Sequence, residues 1–528
     1  MSMSMSSVPN GRFAMRRNWL HVGGFVGAAL LVATVVVGCD AADPSPSPTG
    51  SSTSTSSATA TAGDVPTTFP VQQHQPFEAP QELRSKDGVL DATFTLKKRD
   101  FDVAGTTVEG FAYDGQFIGP TLYVKPGDTV KIHLRNDLDE PTNLHSHGMF
   151  VSPIGISDNV LRVMQPSSDN DFVLNLPRDV DPGTYWYHSH LHGRTEAQVF
   201  AGLAGVFVVE GLQERMPAEL RDIPDLVLAL KDLQVKDGAI ITENIDSNAP
   251  TTRTVNGQVD PVITARTNQT TLLRLANISA DIWYKLALDG TQFRVVAEDA
   301  NPVAEVWTAD ELVLPPGKRY DVLVRWPQPG THALRTLEYS NGPEGDTYPE
   351  RKLATVTVTG DPVADVAWPT SLAPVSELVD AKVDRTREFV FSENTKTNQF
   401  YINGKQFDGT RVDVAAKLGT VEEWTLKNVS GEAHPFHIHV NDYIVTSVNG
   451  EPYSAKSEQD VVPLPPKGVV KIRMKYNRFV GTYVFHCHIL AHEDNGMMMI
   501  VDVSKDGVVS EATQRNLQRM HDEMGASH

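Results

Sequence analysis

Residues 127–136 read GDTVKIHLRN, and the pattern returns as NQTTLLRLAN at 268–277 and GTVEEWTLKN at 419–428. In the first copy Val130, Ile132 and Leu134 alternate with polar residues, the period of a strand with one buried face. Each copy stops at an asparagine: Asn136, Asn277, Asn428. A Gly-Thr strand follows each one, at Gly183-Thr184-Tyr185, Gly330-Thr331-His332 and Gly481-Thr482-Tyr483. A chain of 528 residues is too long for one ordinary domain, and three similar β units of this spacing match the usual domain size.

Short apolar runs such as LVLPPGKRYDVLVRW (312–326) and VVKIRMKYN (469–477) lie between Pro-Gly and Asn-Gly turns, which predicts an all-β chain. The units are placed at 70–215, 216–367 and 368–510, with a short helical tail over 511–528. Residues 40–69 are dominated by Ser, Thr, Ala, Pro and Gly, a composition that buries no core and reads as a tether. Before it, Arg16-Arg17-Asn18-Trp19-Leu20 matches a twin-arginine export signal, and residues 22–38 are uncharged and mostly apolar. Val36-Val37-Gly38-Cys39 then resembles a bacterial lipoprotein cleavage box. The expectation is export to the cell envelope with a lipid anchor at Cys39 on the membrane surface, or otherwise a secreted or periplasmic protein. The net charge of −20, with no basic patch, argues against nucleic acid as a partner. The only two cysteines, Cys39 and Cys487, each have a local explanation, so no disulfide is expected.

The repeat allows the units to be compared at fixed offsets. Nine residues after Asn136 come His145 and His147; nine after Asn428 come His437 and His439; nine after Asn277 come Leu286 and Leu288. On the later strand, unit one has His188-Ser189-His190, unit three His486-Cys487-His488, and unit two Arg335-Thr336-Leu337. Units one and three thus carry four His-x-His pairs and unit two carries none. One such pair is weak as a signal; four at matched positions are strong, and eight neutral imidazoles can hold three metal ions with positions left open. Unit three adds His434, Cys487, His492 and Met497, two imidazoles with a thiolate and a distant thioether, the donor set of a blue-copper electron-transfer site. Side chains alternate along a strand, so Cys487 faces one way and His486 and His488 the other. One segment would touch two metal centres.

The segments HSHG (145–148), HSHLHG (188–193), HPFHIH (434–439) and HCHILAHEDNGMM (486–498) resemble those of the three-domain multicopper oxidases, in particular bacterial laccases of the spore-coat type. The resemblance spans the chain after the linker and includes every copper-binding His and Cys position. It implies three consecutive cupredoxin-like Greek-key β-barrel or sandwich domains and four copper ions. The type 1 copper would take His434, Cys487 and His492 with Met497 axial. The type 2 copper would take His145 and His437. One type 3 copper would take His147, His188 and His488, the other His190, His439 and His486. Electrons from a small reducing substrate would enter near His492, pass Cys487 to its flanking histidines, and reduce O2 to water. By the same resemblance Glu493 and Asp158 are candidates for delivering protons.

The implied activity is laccase-like oxidation of phenols, aminophenols or aromatic amines. A metallo-oxidase of Cu(I), Mn(II) or Fe(II) is the rival, although the 13 methionines form no Met-rich insertion. A non-enzymatic envelope protein of the same fold is a third reading, disfavoured because the ligand positions are intact. His192 has no ligand role in this reading. His21, His74, His133, His332, His521 and His528 lack paired spacing and are read as ordinary histidines.

Overall fold

The computed structural model describes residues 75–525; the export signal, Cys39 and the 40–69 tether lie outside them. Each unit is built on a pair of sheets, one of five strands and one of six, with a small two-stranded sheet, Tyr339–Ser340 and Thr347–Tyr348, added in unit two. The repeated segment is an interior strand of the six-stranded sheet in every unit: Thr129–Asn136, Thr270–Asn277 and Val421–Asn428. Each pairs in parallel with an early strand of its unit, Val89–Val103, Asp225–Leu233 or Arg385–Asn394. The Gly-Thr strands Gly183–His188, Gly330–Thr336 and Gly481–Cys487 belong to the five-stranded sheets. Inward side chains of the two sheets meet in three separate cores, around Phe94 and Ile132, Trp283 and Leu286, and Trp424 and Phe485.

The asparagine ending each repeat has a structural reason. Asn136, Asn277 and Asn428 are all buried. In each, Oδ1 accepts the backbone N–H two residues on: from Leu138, Ser279 and Ser430 at 3.0, 3.1 and 2.9 Å. In each, Nδ2 donates to two backbone carbonyls, of Glu140 and Met164, Ile282 and Leu314, or Glu432 and Leu464. A short polar side chain can close a strand end against the following loop in this way. That loop leads to the His-x-His strands His145–His147 and His434–Ile438.

Two features differ from simple repetition. The hairpin Val235–Lys236 and Ala239–Ile240, in the stretch assigned from sequence to unit two, extends the sheet of unit one by pairing Ala239 with Glu109. The repeat strand of unit two is buried at all eight positions, because its outer face packs on unit one. There Val206 and Val208 meet Val227 and Ala276, and Arg274 is ion-paired to Asp225 at 2.8 Å and Asp321 at 3.3 Å. A final helix covers Glu511–Gly525. No helix among the described residues is long and apolar enough to cross a membrane.

Candidate metal centres

The strand Gly481–Cys487 lies between His434–Ile438 and Met498–Ser504, in a register that sets Phe436 opposite Cys487 and His437 opposite His486. Cys487 turns into the third core, where Sγ lies 3.6 Å from Nδ1 of both His434 and His492. Those two nitrogens are 3.2 Å apart. Met497 is fully buried in the same core, and its carbonyl accepts the Cys487 N–H at 3.1 Å. His492 rides on the helical turn Leu490–Asp494. Unit two holds this turn: Leu490 N donates to Ala280 O at 3.1 Å and Ala491 N to Asp281 Oδ1 at 3.0 Å.

His486 leaves the opposite face of the strand. Its Nε2 lies 3.2 Å from Nε2 of His190 and 3.3 Å from that of His439, and the last two are 3.1 Å apart. Three ring nitrogens from two units therefore converge on one point. The His145 ring stacks on His439 with centroids 3.9 Å apart, and His145, His437 and His439 bring ligand atoms together. His147, His188 and His488 share the same chamber, but their centroids are 4.8 to 5.9 Å apart and their nitrogens do not converge as the first trio's do. All eight imidazoles are buried.

Ring orientation is fixed from behind. Nδ1 of His188 faces the Ser189 carbonyl at 2.6 Å, that of His486 the Cys487 carbonyl at 2.9 Å, and that of His437 the Asp460 carbonyl at 2.9 Å. Nδ1 of His145 is 3.0 Å from both oxygens of Asp158. A proton held on Nδ1 by such acceptors leaves Nε2 as a lone pair. Nε2 of His145, His188 and His437 is buried with no hydrogen-bond partner, an orphaned state that a metal ion would relieve. Burial also pushes the ring pKa values down, to about 3 for His188 and His434 and about 4 for His486, so the rings are neutral at pH 7. Neutral imidazoles beside a buried thiol suit copper.

Glu493 sits behind the converging trio, Oε1 3.4 Å from Nδ1 of His190 and Oε2 3.1 Å from Nδ1 of His486. Burial, with Asp494 adding to it, holds its carboxyl pKa well above the usual range. Burial raises Asp158 to about 7 against the opposing hydrogen bonds from Ser146. His192 is apart from both clusters and packs on Phe407 at 4.5 Å.

Several polar residues at these sites have no signature in the sequence. Asp460 approaches His147 and His437, its Oδ1 3.8 and 3.7 Å from their Nδ1 atoms, and forms a two-pronged pair with Arg319 of unit two at 2.6 Å each. Beside the thiolate cluster, Glu393 Oε2 is 3.6 Å from His434 Nε2 and Glu432 Oε2 is 3.7 Å from His492 Nε2. Asp460, Arg319 and Glu393 are remote in sequence from the histidine motifs, and Glu432, two residues before His434, belongs to none of them.

Three multicopper oxidase family models match the chain, over residues 95–214, 228–357 and 380–507. Multicopper oxidase mco of Staphylococcus aureus is 30% identical over 434 residues, covering 80% of this chain and 90% of that protein. The chain belongs to the multicopper oxidase family. As a multicopper oxidase it is a copper-dependent oxidoreductase with O2 as electron acceptor, built of three cupredoxin domains. A solved multicopper oxidase from Campylobacter jejuni, described as a metallo-oxidase, superimposes with a TM-score of 0.74 at 26% identity, covering 83% of this chain and 98% of that one. Cell division protein FtsP of Yersinia pestis is 28% identical over 443 residues, 80% of this chain and 91% of that protein.

Proposed function

We propose that this multicopper oxidase holds four copper ions and couples four one-electron oxidations of a laccase-type aromatic reductant to reduction of one O2 to two waters. The type 1 ion would be held by His434, Cys487 and His492, with Met497, buried in the same core, as the further ligand. The type 2 ion is assigned to His145 and His437. The type 3 pair is assigned to His147, His188 and His488, and to His190, His439 and His486. The observation that carries the reading is the division at Cys487: its sulfur lies with His434 and His492, while His486 lies with His190 and His439. Copper bound at both places supplies one-electron transfer at the thiolate site and oxygen reduction at the histidine cluster.

The chain's own residues supply the rest. Cys487 is joined to His486 and His488 by single peptide units, which makes a covalent path between the clusters. Burial of all eight imidazoles keeps bulk water from the oxygen-reducing chamber. Oxygen reduction consumes protons, and the buried carboxyl of Glu493, against two rings of the cluster, holds one where it is needed. Asp158 orients His145 through its Nδ1 and is the second proton-holding candidate. His492 keeps 7% exposure while His434 has none, so the reductant meets the His492 edge, whose ring stacks on Phe400 at 3.9 Å.

One observation favours a second reading. The carboxyl groups of Glu393 and Glu432 flank the outer edges of His434 and His492; burial raises them to about 7 and about 8, so they suit a cationic reductant such as Cu(I), Mn(II) or Fe(II) by giving up a proton as the cation binds. Oxygen uptake measured side by side with a phenol and each metal ion, for wild type and Glu432→Gln, separates the two. The aromatic reading expects the phenol to give the highest kcat/KM and to be little affected by the substitution. A metal ion that leads by tenfold and loses that lead in Glu432→Gln overturns it. Arg16, Arg17 and Cys39 support an exported protein of the cell envelope, lipid-anchored at Cys39 or otherwise secreted or periplasmic.

A further inference from the structure

The middle unit contributes no imidazole or thiolate, yet one of its turns touches the histidine cluster at two points. Gly317 has φ of +82°, and a Cβ there would stand 2.9 Å from His488 Cδ2 and 3.1 Å from His147 Nε2. The backbone of unit two therefore lies directly against rings from units one and three. Two residues on, fully buried Arg319 opens the strand Arg319–Arg325. Its Nη1 is 3.3 Å from His147 Nδ1 and donates to the Gly317 carbonyl at 3.0 Å, while Nε donates to the Thr184 carbonyl at 3.1 Å. Its two terminal nitrogens take both oxygens of Asp460, whose backbone carbonyl faces His437 Nδ1.

Asp460 is gripped on its main chain as well. Asp299 Oδ2, again from unit two, accepts the N–H groups of Asp460 and Val461 at 3.2 and 3.0 Å. Lys318 ties the same carboxylate down at 2.9 Å and donates to the Val461 carbonyl at 2.9 Å. Gly148, next to His147, has no room for a Cβ because Arg319 and Asp460 fill that space. The residue that orients His437 and approaches His147 is thus held by Arg319 and Asp299 of the unit without ligands, with Lys318 bracing Asp299.

We propose that Arg319 is a positioning residue for the trinuclear copper cluster: through Asp460 it sets the rings of His147 and His437, so that the middle domain completes a site formed by the other two. This rests on the four-copper reading above. A purely structural role is the alternative, and it makes a different prediction. A buried ion pair that serves only as interdomain glue can be replaced by apolar side chains with little loss of stability, or a gain. A pair that orients ligands cannot, because outer contacts to ligand histidines typically matter 10- to 100-fold in metal affinity.

The test uses the full copper-loaded protein, the double variant Arg319→Met/Asp460→Leu and the single variant Arg319→Lys. The readouts are thermal midpoint, type 1 visible absorption, the type 2 electron paramagnetic resonance spectrum, and copper retained against a graded chelator. The expected result is an unchanged type 1 band, with copper retention at the histidine cluster weakened about 10- to 100-fold and an altered type 2 spectrum in both variants. Wild-type copper retention and an unaltered type 2 spectrum in either folded variant overturn the proposal. If the double variant does not fold, Arg319→Lys, which keeps the charge but loses the fork, decides alone. A wild-type protein with no type 2 signal would instead refute the four-copper reading.

Discussion

Asn428→Ala tests how the fold is tied to the thiolate site. The substitution removes four hydrogen bonds: Nδ2 to the carbonyls of Glu432 at 2.6 Å and Leu464 at 3.1 Å, and Oδ1 from the N–H and Oγ of Ser430 at 2.9 and 2.5 Å. Each contributes about 1 kcal/mol net, and the partners left buried without a bond add to the loss, so about 3–5 kcal/mol is expected. For a unit of this size that lowers the thermal midpoint by roughly 10 °C. Ser430 is also the hydroxyl 2.7 Å from Nε2 of His434, so its release should disturb the type 1 spectrum too. Asn277→Ala is the control. It removes three matching bonds in the middle unit and should cost about 3 kcal/mol without moving the type 1 band. Scanning calorimetry of the copper-loaded proteins, with visible absorption on the same samples, measures both effects. A midpoint for Asn428→Ala within 2 °C or so of wild type, or a band shift in Asn277→Ala as large as in Asn428→Ala, would refute the reasoning.

Other consequences concern protons and packing. Glu493→Gln keeps the shape beside His190 and His486 but cannot pass a proton, so stopped-flow should show O2 reduction slowed about 100-fold or more while type 1 reduction changes little; equal slowing of both steps argues against a proton role. Burial holds the Cys487 thiol well above its ordinary pKa and the His434 and His492 rings well below theirs. Over pH 6–8 the thiol is therefore protonated and the rings are not, so copper uptake by wild type should release about one proton more than by Cys487→Ser and tighten as pH rises. Calorimetry in buffers of different ionisation enthalpy counts that proton, and equal release by the two proteins contradicts the assignment. Gly317→Ala should strain a left-handed backbone position and push on His147 and His488, lowering copper retention at the histidine cluster with the type 1 band intact. Unchanged retention would show that the turn does not bear on those rings.

Much of this architecture is readable in the chain because it rests on local period and on repetition. Alternation in GDTVKIHLRN marks a half-buried strand, and the three terminal asparagines recur because each pins the same loop. The opposite facing of Cys487 and His486 follows from strand pleat alone. The middle unit is where pattern reasoning stops. Arg274, in a position that alternation would send to solvent, is buried because Asp225 and Asp321 pair with it against unit one. Arg319, Asp460 and Glu393 reach the candidate metal centres from strands and loops far in sequence from the histidine motifs, and Glu432, two residues before His434, carries no mark that separates it from an ordinary loop acid. Hairpin 235–240 crosses to the first sheet through backbone pairing, to which side-chain pattern is blind.

If Cys487 joins two metal centres through its neighbours on one strand, its loss should disconnect them. Cys487→Ser, loaded with copper and assayed for metal content, visible absorption and O2 uptake with a reductant, tests it most directly. The intense thiolate-to-copper band should disappear, the histidine cluster should keep its copper, and turnover should cease. A variant that still consumes O2 at the wild-type rate, or a wild-type protein that is colourless when fully loaded, would contradict it.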